Sequence, residues 1–408
     1  MKRIVVNGGK MLKGEITVSG SKNAALPIVF ACILTNGVSR IENLPDIGDV
    51  RVALSLLASL GAKVDRCDNV TTIDTTNLCY VDPDPALALK IRASTYLLGA
   101  CLPRFGRCPI PAFGGCNFSP RPIDMHLDAC LALGARVEKD FVFCNKLCGN
   151  EIYFKQPSVG ATVNAILLSA TAQGYTEIHG CAIEPHIDSL ICFLNSCGAE
   201  INRLGRVIHV KGKILHGGRA SVIGDMIEAG SYLALSLMCE GRIVVKNSPI
   251  KDMVAFFDML DSLGASVTLD GEAIYTDVCN GRATSVTTSP YPGFPTDLQP
   301  LVAPLMAKFE GGEITDTVWP DRFGYLSALS PFGIRSVAQG NKAKIYHSDI
   351  HNGNTIAPDL RGGMACIITA LSTKGESNIG SLDTILRGYE NLESKLLSLG
   401  AQIKIINT

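Results

Sequence analysis

The 408-residue sequence is short of several things, and each shortage removes a class of function. Its 37 Lys and Arg nearly cancel 38 Asp and Glu, leaving a net charge of -1. Bulk electrostatics therefore supports neither a nucleic-acid partner nor an anionic membrane surface. Long apolar runs are missing too: LPIVFACIL, from Leu26 to Leu34, falls well short of the ~20 residues a membrane helix needs. Membrane insertion is not expected. The opening MKRIVVNGGK has too short an apolar part for a signal peptide, so the expected location is cytoplasmic. Metal-binding patterns are equally scarce. Cys144 and Cys148 form a C-x3-C pair with no second pair or histidine cluster behind it, and neither metal nor cofactor is expected.

Cysteine, by contrast, is abundant. Fifteen are present, and most sit in apolar runs, as Cys32, Cys101, Cys130 and Cys366 do. Without an export signal they read as reduced thiols acting as small hydrophobes. A hydrophobic content of 47% against 18% charged residues describes an apolar-rich globule of two or three domains.

The chain also has a repeat. LLASLGAKV, CLALGARV, FLNSCGAEI, MLDSLGASV, ALSPFGIRSV and LLSLGAQI each close an apolar helical run with a glycine and continue as a strand. Those glycines are Gly61, Gly134, Gly198, Gly264, Gly333 and Gly400, spaced by 73, 64, 66, 69 and 67 residues. A unit of that length recurring throughout fixes the architecture. Each glycine suits a left-handed helix C-cap, and the run after it suits a strand. Asp49, Asp124, Asp188, Asp252 and Asp321 fall at or next to the first turn of these helices, where capping and dipole complementarity account for most of them.

Each copy carries a second helix that is apolar nearly all round: NAALPIVFACIL, ASTYLLGACL, TVNAILLSATA, EAGSYLALSLM, LQPLVAPLMA and GMACIITALS. Helices without a polar face belong inside a core, so the sheets must lie outside. Three copies per domain give two domains of threefold pseudo-symmetry, with LHGGRAS, from Leu215 to Ser221, reading as the connection between them. Counting back from the recurring glycines, Lys22, Arg92, Asp297 and Arg361 occupy nearly one position, the start of the buried helix, in four copies. Parallel helices would gather these starts at one end. Free N–H groups and basic side chains there make an anion trap for phosphate or carboxylate.

One loop breaks the repeat. PAFGGCNFSPRPIDMHL in copy two has no counterpart in the other copies, and it carries Cys116 after Gly114 and Gly115 with Arg121 five residues on. A cation at that distance lowers a thiol pKa if the loop folds back.

SGSKNAALP, IRAS, FGGCNFSPRPIDMH, SVGATVN, FPTDLQP, TVWPDRF, APDLRGG and LRGYENLE, in this order, resemble the enolpyruvyl transferases across essentially the whole chain. The cysteine loop is the most discriminating motif and points to the branch that acts on a nucleotide sugar. The resemblance implies a two-domain inside-out α/β barrel built from six βαβαββ-like repeats. Residues 21–224 would form the domain with the cysteine loop, residues 1–20 and 225–408 the other, with the active site in the cleft between. It implies transfer of the enolpyruvyl group of phosphoenolpyruvate to the 3-hydroxyl of UDP-N-acetylglucosamine, the first committed step of peptidoglycan synthesis, by a monomer.

On the same resemblance Cys116 is the general acid, and Lys22, Asn23, Arg121 and Arg387 surround phosphoenolpyruvate. Asp297 contacts the acceptor hydroxyl and is the base. Arg92, Arg121, Pro122, Ile123, Asp124, Met125, Ser158, Val159, Gly160 and Val318 match nucleotide-sugar contacts. Asp49, Arg322, Asp359 and Arg361 match further site positions. The chain departs from the family in having Gln156 after Lys155 where a lysine is common two residues before Ser158, and Met226 where an arginine is common. These departures bear on the acceptor rather than on the reaction type. Another nucleotide or sugar acceptor, and a silent nucleotide-sugar-binding paralogue, are the alternatives.

Overall fold

The computed structural model describes residues 2–110, 122–271, 273–278 and 281–407. It divides into two compact units, residues 2–19 with 224–407 and residues 20–110 with 122–223. Each has its own hydrophobic core.

The repeat is a βαβαββ unit, seen whole in copies three and five. In copy three, strand Glu151–Tyr153 leads to the buried helix Val159–Ser169, and strand Tyr175–His179 then pairs parallel to the first. The outer helix Pro185–Ser196 follows, then the hairpin Glu200–Leu204 with Val207–Lys211, whose second strand pairs antiparallel to Tyr175–His179. Copy five repeats this order with Thr284–Thr288, helix Gln299–Lys308, Gly312–Asp316, helix Tyr325–Leu329, Ser336–Gln339 and Lys342–Ile345.

Other copies borrow strands from far along the chain. Copy one takes its first strand, Arg219–Ser221, from beyond copy three, so the segment read as a connection is still part of a sheet. Copy four takes Lys13–Thr17 as its first strand, and copy six takes Lys2–Gly8 as its last. Copy two shows three strands among the described residues, Arg107–Pro109, Phe141–Phe143 and Arg136–Glu138.

The buried helices are buried for the reason their sequences give. Met226–Met238 and Leu360–Ser372 each bury all but one residue, and with Gln299–Lys308 they pack on one another. In the other unit Tyr96–Phe105 packs against both Lys22–Ala31 and Val159–Ser169. The sheets outside show alternation, as in Val38–Glu42, where Ser39 and Ile41 point inward. All six recurring glycines adopt φ between 84° and 98°, the left-handed conformation that ends the outer helix.

The aspartates at the outer helices do not cap them. Ile47, Ile123, Glu184 and Met253 occupy the N-cap positions with no side-chain cap bond. Asp49 instead pairs with Lys22, and Asp188 takes a bidentate pair from Arg203. Side-chain capping falls to the buried helices, through Ser158, Asp225 and Asp359. The buried helices Lys22–Ala31, Tyr96–Phe105 and Gln299–Lys308 start without a side-chain cap bond.

Candidate active site

In the unit of residues 224–407 the centre is Asp297, just before helix Gln299–Lys308. Its Oδ1 accepts from Arg322 Nη1 at 2.7 Å and its Oδ2 from Arg361 Nε at 3.3 Å. Both arginines are buried, while the Asp297 side chain keeps 29% exposure, so this carboxylate is the face of the cluster open to a ligand. Arg361 sits in the first turn of Leu360–Ser372, where Asp359 Oδ1 accepts from the N–H groups of Arg361 and Gly362 at 2.9 and 3.0 Å. Asp359 is thereby fixed as a helix cap.

The Arg361 guanidinium lies 5.4 Å from the Tyr389 ring centroid. Its Nη1 and Nη2 are buried without a hydrogen-bond acceptor among the described residues. Buried guanidinium N–H groups left in that state favour an incoming anion. Arg387 stands two residues before Tyr389, in a turn packed so closely on Leu360 that a Cβ on Gly388 would lie 2.6 Å from the leucine Cδ1. Val318 donates its N–H to Asp316 Oδ1 at 2.9 Å.

In the unit of residues 20–223, Lys22 opens helix Lys22–Ala31 and its Nζ meets Asp49 Oδ2 at 3.4 Å, both side chains largely buried. Asn23 follows on the same turn, half-buried. Arg92 opens a 3-10 turn, Arg92–Thr95, that runs into Tyr96–Phe105. Ser158 caps Val159–Ser169, its Oγ accepting from Ala161 N–H at 3.3 Å. Pro122 and Asp124 are exposed, Ile123 and Met125 half-buried, at the start of Asp124–Ala132.

His126 joins these pieces. Its ring lies so close to Gly160 that a Cβ there would stand 2.9 Å from His126 Cε1. Its Nδ1 meets Asn164 Nδ2 at 2.6 Å, and Asn164 also reaches Thr95 O and Gly99 N–H. Burial, and then the Arg92 charge, push the His126 imidazolium pKa down to about 4. At neutral pH the ring is uncharged, with Nδ1 accepting from the Asn164 amide.

All four expected residues stand at or near the start of a buried helix: Lys22 is the first residue of its helix, Arg361 the second, Asp297 two residues before Gln299, and Arg92 four residues before Tyr96 at the head of the 3-10 turn. Cys116 and Arg121 lie outside the described residues. His126, Asn164 and Asp316 escaped the sequence reading. For Asn164 a signal was present, one amide in the middle of the otherwise apolar TVNAILL.

The chain belongs to the EPSP synthase (3-phosphoshikimate 1-carboxyvinyltransferase) family, whose model matches residues 6–396. Within that family its curated relatives have a narrower name. A UDP-N-acetylglucosamine 1-carboxyvinyltransferase of Halothermothrix orenii is 38% identical over 99% of both chains. UDP-N-acetylglucosamine 1-carboxyvinyltransferase 1 of Streptococcus agalactiae is 37% identical over 100% of both. Among solved structures, the enolpyruvyl transferase NikO from Streptomyces tendae matches with a TM-score of 0.91 over 100% of this chain and 99% of its own, at 24% identity. EPSP synthase from Acinetobacter baumannii matches with a TM-score of 0.75 at 17% identity over 100% of both chains. At such identities the likeness speaks for the fold, the two-domain inside-out α/β barrel. Among the described residues no helix is long and apolar enough to cross a membrane.

Proposed function

We propose that this chain transfers the enolpyruvyl group of phosphoenolpyruvate to the 3-hydroxyl of UDP-N-acetylglucosamine, releasing phosphate and forming UDP-N-acetyl-3-O-(1-carboxyvinyl)-glucosamine, the first committed step of peptidoglycan synthesis. The observation that carries the reading is the full-length identity of 36–38% to enzymes of that name. The site fits the chemistry. The vinyl carbon must gain a proton as the acceptor oxygen adds to the neighbouring carbon. The resulting tetrahedral adduct then loses phosphate and a proton to restore the double bond.

In this reading Cys116 supplies the first proton and Asp297 takes the proton of the hydroxyl. Arg322 and Arg361 hold both carboxylate oxygens of Asp297, fixing its direction. Lys22, Asn23, Arg121 and Arg387 receive phosphate and carboxylate, and the free N–H groups of Arg361 add to that field. Arg92, residues 121–125, Ser158–Gly160 and Val318 take the nucleotide sugar. One chain supplies every one of these residues, so a monomer suffices. Both substrates are anionic and cross membranes poorly, which fits a cytoplasmic enzyme.

The test is phosphate release from phosphoenolpyruvate in the presence of UDP-N-acetylglucosamine, beside parallel reactions with UMP or shikimate. Release with the N-acetylated sugar nucleotide is expected. Silence there with turnover on another acceptor would overturn the assignment.

A further inference from the structure

We propose that Asp316, a fully buried carboxylate at the end of strand Gly312–Asp316, is a positioning residue for the Asp297–Arg322 pair. The inference rests on the reading of that pair as part of the active site. Five donors converge on Asp316. Oδ1 accepts from Thr288 Oγ1 at 2.7 Å and from the N–H groups of Val318 and Trp319 at 2.9 and 2.8 Å. Oδ2 accepts from Thr296 Oγ1 at 2.6 Å and Gln299 Nε2 at 3.2 Å. An ionised carboxylate offers about four lone-pair sites, so its accepting capacity is used up.

Two of these donors lead directly to the pair. Thr296 spends its O–H on Asp316, which leaves the oxygen lone pairs to accept from Arg322 Nη1 at 3.1 Å, while the same nitrogen donates to Asp297 Oδ1 at 2.7 Å. Gln299 Nε2 also donates to the Arg322 backbone carbonyl at 3.0 Å, and its Oε1 accepts from Tyr325 O–H at 2.6 Å. Arg322 is thus held at both ends, its backbone through Gln299 and its guanidinium through Thr296, by one carboxylate. The remaining donors fix the turn that carries Val318. Asp316 therefore sets the direction of Asp297 without reaching the substrate.

An amide at this position keeps the shape and breaks the logic. In Asp316→Asn, an Nδ2 facing Thr296 and Gln299 sets donor against donor at Gln299. It also turns the Thr296 hydroxyl from donor into acceptor, in competition with Arg322. In Thr296→Val the link to the Arg322 guanidinium is removed, with Asp316 and the Gln299 link to the Arg322 backbone intact. Thr288→Val cuts two bonds on the far side of the carboxylate, away from Arg322: the one Thr288 Oγ1 donates to Asp316 and the one it accepts from Thr317 N–H.

The experiment measures kcat and both KM values, with thermal melting, for the full-length wild type, the three variants and the Asp316→Asn/Thr296→Val double variant. Asp316→Asn and Thr296→Val are expected to lower kcat by roughly tenfold to a hundredfold, the scale of small misplacements of reacting groups, with the KM for phosphoenolpyruvate within about threefold. The double variant should be no slower than the slower single, because both cut one chain of bonds. Thr288→Val should melt earlier yet keep its kcat.

Wild-type kcat in Thr296→Val overturns the proposal, as does an equal kcat loss in Thr288→Val, which would mark mere loosening of the fold. If Asp316→Asn does not fold, Thr296→Val alone decides. Absence of wild-type turnover with UDP-N-acetylglucosamine is a different result and counts against the assigned reaction.

Discussion

Among the described residues Asp297 is the one carboxylate that two buried guanidinium groups share, and its replacement separates chemistry from stability. In Asp297→Asn one oxygen still accepts from an arginine, but the other partner meets an NH2 group, donor to donor. General-base assistance contributes about 10²–10⁴-fold, so phosphate release should fall by at least about a hundredfold. The stability loss should stay below the ~3–5 kcal/mol of a pair broken in a fully buried place, because the Asp297 side chain keeps 29% exposure. Steady-state kinetics beside urea unfolding measure both. Turnover near that of the wild type would remove Asp297 from the mechanism. The sequence placed Asp297 at a helix start and Arg322 and Arg361 near others. It held no sign that one carboxylate bridges both arginines, since those contacts join residues 25 and 64 positions away.

Between elements, the buried amide and imidazole are the stronger test of how the helix starts are held. His126 on Asp124–Ala132, Asn164 on Val159–Ser169 and the turn before Tyr96–Phe105 meet in one network facing Arg92, Asp124 and Gly160. A histidine held neutral by burial has its folded pKa below the unfolded value near 6.5, so the stability it contributes is complete above that value and is lost as pH falls toward 4. The gap corresponds to about 3 kcal/mol. Glu228, whose carboxyl is pushed up by burial, acts in the opposite sense, so the contribution must be read by difference. Urea unfolding between pH 4.5 and 7 should show a shallower pH dependence for His126→Gln than for wild type. Parallel curves would contradict a neutral, buried His126.

The recurring glycines offer a paired comparison on the outer helices. Gly400, at φ 89°, has open space where a Cβ would go, whereas at Gly198, φ 97°, a Cβ would lie 3.1 Å from His216 Nε2. Gly400→Ala is expected to cost the left-handed penalty alone, about 1–2 kcal/mol, and Gly198→Ala more. A stabilised Gly400→Ala would deny the left-handed cap. These glycines, and the apolar helices beside them, were legible because local chemistry dictates them: a helix stop, and a face with no polar residues. Asn164 and Asp316 were not read, because a buried polar group is recognisable only when its partners are known. Asp316 finds Thr288 and Thr296 from opposite sides of a strand pair and a loop.

On the scale of the whole chain, what sequence period alone could not reveal is where each unit closes. Every strand of the sheets in residues 20–223 comes from within that span, including Arg219–Ser221, which returns to complete copy one. The other unit is closed by the N-terminal segment. Lys2–Gly8 is an inner strand, paired on one side with Gly375–Gly380 and on the other with Gln402–Asn407, and Lys13–Thr17 completes the sheet of copy four. Ser19 adds a buried anchor: its N–H donates to Glu228 Oε2 at 2.8 Å, and its hydroxyl accepts from Lys395 Nζ at 2.7 Å beside the Lys395–Glu228 ion pair. Removing residues 2–19 would expose three strand edges, on Gly375–Gly380, Gln402–Asn407 and Arg242–Lys246, bare the inward Ile4, Val6 and Ile16 partners, and strip Glu228 of a hydrogen bond. A fragment of residues 20–223 should therefore fold alone, with a cooperative melting transition. A fragment of residues 224–408 should not, unless a peptide of residues 1–19 is added, when its strands recover their partners. Circular dichroism melts of the two fragments, with and without the peptide, test this. A cooperative transition in the 224–408 fragment alone would show that the N-terminal strands are dispensable to its core.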